Sequence, residues 1–316
     1  MSRSRTKPRA LKPGDTIGVV APASAIDRGH LERGVAALER LGFRVKVSSH
    51  ALDRAAIVAG PDEVRARELQ AFFADPAVDA IFAARGGYGA GRILPLLDFA
   101  AIARTPKIFM GFSDATFILN ALVGRAGMVC FHGPMVAMDF ARGVGEAALD
   151  HLRRLLEGET ASFELPARKA LRAGVAEGEV VGGCLSMVSA AIGTPYMPPL
   201  DGAILFLEDT GEKAYRIDRM LVQLGQAGVL ARVAAVVFGA LRPPEGSEAE
   251  RRLIDECVAE QSARLDCPVL AGIEAGHGSA NFTIPFGVRA RVDAAARRLS
   301  FLEPAVADRG DRFGMA

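Results

Sequence analysis

Through the first half of the chain, short continuous apolar runs alternate with stretches of helical spacing. The run TIGVVAP is followed by HLERGVAALERLGF, where Leu31, Val35, Leu38 and Leu41 fall at i, i+4, i+7 and i+10 and share one helical face. FRVKV is a second strand. DEVRARELQAFFAD is a second helix, with Asp62 placed to cap its N-terminus. DAIFAA, KIFM and MVCF continue the series, each near another helical stretch. Continuous apolar strands alternating with helices predict an α/β fold with a parallel sheet covered on both faces.

The pattern changes after Phe140. ARGVGEAALDHLRRLLEGE reads as one helix, and ASFELPARKALRAGVAEGE mixes proline, glycine and charge. This predicts an N-terminal α/β domain over residues 1–140, an interdomain crossing over 141–175 and a second domain over 176–316. The strands expected in the last part are GEVVG, AILFL, AAVVFGA, PVLAG, VRARV and RLSFLE. The helices expected there are Leu185 to Ile192, Tyr215 to Gln226 and Glu248 to Arg264.

The 316 residues carry a formal net charge of +1, so no basic face for nucleic acid is expected. The locally basic start, MSRSRTKPRALKPG, reads as a frayed, solvated tail. No apolar stretch has the length of a membrane span or a secretory leader, which makes the cytoplasm the expected location. Cys130, Cys184, Cys257 and Cys267 form no CxxC pair and no zinc spacing. Reduced, buried thiols and no metal are expected.

Within KIFMGFSDATFILNAL the apolar run ends at Gly111-Phe112-Ser113-Asp114-Ala115 and resumes as a helix. A serine at a sharp strand-to-helix turn projects its hydroxyl clear of the sheet. The next backbone N–H points to the same side, an arrangement suited to acyl transfer. Alone, a serine in this pattern is more often an N-cap than a nucleophile. A base and an orienting acid are then needed. Of the five histidines, His30 and His151 read as solvated on polar helix faces and His50 as a loop residue. His132, in FHGPM after a strand, reads as structural or as a neighbour of a site. His277, in EAGHGSANFTIPFG, is flanked by glycines beyond a strand end and is the better candidate base. In AILFLEDTGE the apolar run ends at Glu208 and Asp209, where open α/β sheets present side chains to ligands. AARGGYGAGR follows the strand DAIFA without the spacing of a dinucleotide or P-loop motif. It offers a backbone N–H from Gly86 or Gly87 to complete an oxyanion hole with the Asp114 N–H, and Arg85 as a partner for a substrate carboxylate.

Together these segments resemble the LD-carboxypeptidases, serine peptidases of muropeptide recycling that include microcin-immunity peptidases. The similarity is carried by LKPGDTIGVVAPAS, ADPAVDAIFAARGGYGAGRILPLLD, KIFMGFSDAT, FHGPM, GGCLSMVSAAIGTPY, ILFLEDTGEKAYRIDRML and GIEAGHGSANFTIPFG. The resemblance implies an α/β N-terminal domain and a smaller β-rich C-terminal domain with the active site between them, Ser113 as nucleophile, Glu208 as triad acid and His277 as base. It implies hydrolysis of the amide between an L-centre and a C-terminal D-amino acid, no cofactor, a small peptide substrate and a homodimer. Two positions depart from the family pattern. Cys184 stands where Asn is usual, and Phe112 where Tyr is more common, so substrate preference is the property most open to change. The alternatives are an immunity-type amidase for peptide–nucleotide conjugates and a non-catalytic two-domain protein that binds a small anionic ligand.

Overall fold

The computed structural model describes residues 5–244 and 247–308. Its first sheet contains β1 (Thr16–Val20), β2 (Arg44–Val47), β3 (Ala80–Ala83), β4 (Ile108–Gly111) and β5 (Cys130–His132), all parallel. The helices α1 (Arg28–Arg40), α2 (Asp62–Ala74), α3 (Ala90–Ile93), α4 (Phe99–Arg104) and α5 (Thr116–Ala121) connect these strands. β3 and β4 are buried at every position, as a sheet covered on both faces requires. The spatial order 2-1-3-4-5 reverses between β1 and β3, so the loops after β1, β3, β4 and β5 open on a common crevice.

After α6 (Glu146–Leu156) the chain enters an eight-stranded sheet. Its strands are β6 (Phe163–Pro166), β7 (Lys169–Arg172), β8 (Val175–Cys184), β9 (Ile204–Thr210), β10 (Ala235–Arg242), β11 (Val269–Ala271), β13 (Arg289–Asp293) and β14 (Arg298–Phe301). β8 to β11 run parallel, with α7 (Leu185–Ala190), α8 (Ala214–Gln226) and α9 (Glu248–Ala263) among them; the other pairings are antiparallel. β12 (Ile284–Phe286) leaves this order. It pairs antiparallel with β5 and forms the edge of the first sheet.

The two sheets are stitched together beside the elbow serine. Asn120 of α5 exchanges two hydrogen bonds with Gly182 of β8: its Nδ2 donates to the carbonyl at 2.9 Å, and its Oδ1 accepts the N–H at 3.2 Å. Thr116 Oγ1 accepts the Cys184 N–H at 3.1 Å. Gly183, at φ +121°, leaves the room this needs, because a Cβ there would lie 2.6 Å from Thr116 Oγ1.

Four sequence expectations are corrected. Asp62 is the first helical residue of α2 rather than its cap, and Pro61 holds the cap position. Asp62 instead pairs with Arg65 and Arg92. The basic N-terminal segment is packed from residue 5 onward. Arg5 donates to Glu179 at 2.9 Å and to the Val123 carbonyl at 3.0 Å, and Lys7 pairs with Glu303 at 2.7 Å. Residues 1–4 of that segment lie outside the described residues. The mixed stretch ASFELPARKALRAGVAEGE forms β6, β7 and the start of β8. The helix expected across ARGVGEAALDHLRRLLEGE is confined to α6, and a separate wide helical turn occupies Val136–Phe140.

Candidate active site

The chain after β4 turns through one 3₁₀ turn, Ser113–Ala115, before α5. Ser113 sits at φ +59°, a left-handed conformation that strains any residue with a Cβ. Gly111 makes the turn possible, since a Cβ there would be 3.0 Å from the Cβ atoms of both Ala83 and Ala115. The loop after β3 presses on the same point. A Cβ on Gly86 would lie 2.8 Å from Ser113 Cβ, 2.9 Å from Ser113 Oγ and 3.1 Å from the Asp114 backbone nitrogen. The Asp114 carboxylate faces away from this point and accepts the Ala90 N–H at 2.7 Å, tying the start of α3 to the elbow. Burial raises its pKa, against that hydrogen bond and the charge of Arg65.

Gly87 lies at φ +101°, where a Cβ would strike Ser24 Oγ at 2.5 Å. Arg85 is half-buried beside it. Its Nη1 donates to the Ala25 carbonyl at 3.2 Å, while its buried Nε has no hydrogen-bond partner among the described residues.

β9 delivers Glu208 and Asp209 to opposite faces. Asp209 accepts the Ser186 N–H at 2.8 Å at the start of α7 and the Thr210 N–H at 2.8 Å. Burial raises its pKa, helped by the nearby Glu208 charge. Glu208 is fully buried and faces the loop after β11. There its Oε2 accepts two hydrogen bonds from His277, from the backbone N–H at 2.9 Å and from Nδ1 at 2.7 Å. Gly276, at φ +85°, is the residue that allows this approach, because a Cβ there would be 2.2 Å from that oxygen. Burial alone would push the Glu208 carboxyl upward. The His132 imidazole facing Oε1, together with the hydrogen bonds and charge of His277, outweighs it and holds the pKa at about 2. For His277, burial pulls the pKa down, but the Glu208 hydrogen bond and the charges of Glu208, Asp209 and Asp139 raise it overall. An ionised Glu208 requires a proton on Nδ1, which leaves Nε2 as the free lone pair.

The imidazole of His277 lies against Phe112, the residue before Ser113, with ring centroids 4.7 Å apart. Phe112 of the first sheet, the neighbour of Ser113, therefore packs against His277, which Glu208 of the second sheet holds. His132, at the end of β5, belongs to the same cluster. It is fully buried, with Nε2 3.5 Å from Glu208 Oε1. The sequence left its part open; the signal was its place at a strand end in FHGPM. His151 is not solvated. Its Nε2 bonds the Thr283 carbonyl at 2.9 Å, its ring packs on Phe163 and Phe282, and burial lowers its pKa. His30 and His50 sit beside Asp27 and Asp53, away from this cluster. At the two departures from the family pattern, the Cys184 thiol lies 3.2 Å from Ser186 Oγ, and Phe112 packs between the two site imidazoles. Burial, with the charges of Asp209 and Glu208, keeps the Cys184 thiol protonated.

Comparison with known proteins places this geometry among relatives. Residues 17–133 match the family described as the LD-carboxypeptidase N-terminal domain, and residues 177–292 match the LD-carboxypeptidase C-terminal domain. A putative carboxypeptidase of Streptomyces coelicolor is 39% identical over 315 residues, covering 98% of this chain and 100% of that one. A probable murein peptide carboxypeptidase of Bacillus subtilis is 36% identical over 296 residues, covering 92% of each chain. Among solved structures, the muramoyltetrapeptide carboxypeptidase of Oxalobacter formigenes superposes with a TM-score of 0.82 at 32% identity, over 90% of this chain and 97% of that one.

Proposed function

Because the chain belongs to the LD-carboxypeptidase family and is a serine-type carboxypeptidase, we propose that it removes a C-terminal D-amino acid from muropeptide tetrapeptides through a Ser113–His277–Glu208 triad. The observation that carries this reading is the placement of His277. Glu208 grips its Nδ1 edge, and its ring lies on the neighbour of a strained elbow serine.

In the first step His277 Nε2 takes the Ser113 proton as Oγ bonds to the scissile carbonyl carbon. Ionised Glu208 stabilises the imidazolium that forms. The carbonyl electrons move to oxygen, and the N–H groups of Asp114 and of Gly86 or Gly87 receive the negative charge. The close packing of Gly86 on Ser113 and Asp114 supports that pairing of donors. As the tetrahedral intermediate collapses, the C–N bond breaks and His277 returns its proton to the leaving amine. Water then gives a proton to His277 and its oxygen to the acyl carbon. The ester bond to Ser113 breaks and the serine regains its proton. Arg85 supplies the cation that a carboxypeptidase needs for the free C-terminus. Its unpartnered buried Nε gains a partner when a carboxylate arrives.

The test is mass spectrometry of product from a defined tetrapeptide ending in D-alanine, beside its L-alanine epimer and an aminoacyl-nucleotide analogue. Release of D-alanine with loss of one residue is expected, with the epimer inert. Faster turnover of the nucleotide analogue would replace the muropeptide reading with the immunity-type one. Binding without turnover of any of the three would overturn the hydrolytic reading.

A further inference from the structure

The triad uses one oxygen of Glu208, and the other faces a second histidine. Oε2 accepts both donors of His277, whereas Oε1 has no hydrogen-bond partner among the described residues. Neither ring nitrogen of His132 has one either. These orphaned groups face each other, Nε2 to Oε1, at 3.5 Å, and both side chains are fully buried. Aromatic rings wall the pair. Phe112, Phe206 and Phe286 have centroids 5.7, 5.3 and 5.6 Å from the His132 ring, and none carries a hydrogen-bond donor. An ionised oxygen in such a place needs a donor, and the His132 imidazole is the nearest one. Closing the gap by about 0.5 Å makes a full hydrogen bond.

The backbone explains why this arrangement holds. His132 is laddered on both sides, to Gly111 of β4 and to Ile284 of β12. Glu208 is held in register with Cys184 of β8, whose N–H is in turn bonded to Thr116 of the helix that follows Ser113. The first sheet thus supplies the histidine and the second supplies the acid.

Resting on the triad reading above, we propose that His132 is a positioning residue for Glu208. Its Nε2–H holds Oε1, so that Oε2 is aimed at His277 only when the two sheets are docked. His132 touches no reacting atom and acts through the carboxylate.

The groups that set the protonation of this cluster are few. Glu208 faces His277, Asp209 on the other face of β9 and Asp139 of the turn after β5 act on it through their charges alone, and His132 and His277 face Glu208. Replacing His132 by Phe keeps the aromatic packing and removes the donor. Replacing it by Gln returns an N–H to the Nε2 position. With tetrapeptide as substrate, His132→Phe is expected to lower kcat by about 10–100-fold with KM within about twofold, the size typical for loss of an orienting partner. The acid limb of kcat/KM should move to higher pH by about 0.5 or more, because the carboxylate charge then rests wholly on His277. His132→Gln should recover most of kcat and return the limb. Circular dichroism and thermal melting establish that both variants fold.

A folded His132→Phe protein with wild-type kcat and an unmoved acid limb would overturn the proposal. So would equal losses in Phe and Gln variants with the limb unmoved, the signature of packing alone. Should Phe fail to fold, Gln with wild-type kcat supports the role and Gln with a large loss refutes it. A Ser113→Ala control separates the two readings: turnover by that variant would defeat the triad itself, whereas its inactivity beside an unaffected His132→Phe defeats only this inference.

Discussion

Asn120 and Gly182 exchange a pair of hydrogen bonds across the junction of the two sheets, one helical turn from Thr116 and one strand residue from Gly183. The pairing fixes α5, which begins just after the elbow, to β8, which lies beside the strand carrying Glu208. Asn120→Ala would leave both buried backbone groups of Gly182 unsatisfied. A loss of about 3 kcal/mol of stability is expected, from roughly 1–3 kcal/mol for each orphaned group. Chemical denaturation measures it. A loss below about 0.5 kcal/mol would show that the junction does not depend on this contact.

Ser113 holds a left-handed backbone, so its two simplest replacements should separate function from stability. Both Ser113→Ala and Ser113→Gly are expected to lower kcat by on the order of 10⁶. The glycine variant should be more stable than the alanine variant by about 1 kcal/mol, because only glycine adopts φ +59° without cost. Paired melting curves and single-turnover assays are the check. Equal stabilities would mean that the turn relaxes in solution.

Gly86 is not in the left-handed region, so its backbone tolerates alanine and only the added methyl matters. That methyl would fall 2.9 Å from Ser113 Oγ and 3.1 Å from the Asp114 nitrogen, in the space assigned to the oxyanion. Gly86→Ala should therefore lower kcat by about 10²–10³-fold, the usual loss for one disabled oxyanion donor. Steady-state kinetics on a protein with unchanged circular dichroism decides it, and wild-type turnover would move the oxyanion elsewhere.

Acid and base make opposite demands on pH. The Glu208 pKa falls from 4.5 unfolded to about 2 folded. Its stabilisation is therefore complete above pH 4.5 and is lost as pH falls toward 2. The amount is on the order of 3 kcal/mol, shared with His277 as its partner. The His277 pKa lies above its ordinary 6.5, so its contribution to stability is present below that pH and fades as pH rises through the raised value. As a base it must be neutral, which puts the acid limb of kcat/KM above pH 6.5. An NMR titration of the imidazole should give a midpoint above 6.5 in the wild type and a lower one in Glu208→Gln, where burial is no longer opposed. An unshifted midpoint would remove Glu208 as its partner.

The apolar runs of β1, β3 and β4 and the single-faced spacing of α1 were readable because burial on both sides demands such patterns. β6 and β7 were not. FELP and KALR lie at sheet edges with mostly exposed or half-exposed positions, so charge and proline conceal the strand period. The anchoring of Arg5 was hidden for a related reason. Its partners, the Val123 carbonyl and Glu179, lie far along the chain, and local composition carries no trace of them. The elbow glycine, the acid at the end of β9 and the histidine among glycines were all visible as residue types at strand ends. The approach of His132 to Glu208 was not, since it depends on the docking of the first sheet on the second, through contacts between residues far apart in the chain.

That edge strand has a consequence for the architecture as a modular object. The polypeptide crosses to the second sheet, presents His277, and within a few residues returns Ile284–Phe286 to complete the sheet it had left. A chimera joining the front half of one relative to the back half of another would have to match this borrowed edge as well as the catalytic side chains. Two fragments expressed separately would each lack part of a hydrogen-bonded ladder until they met.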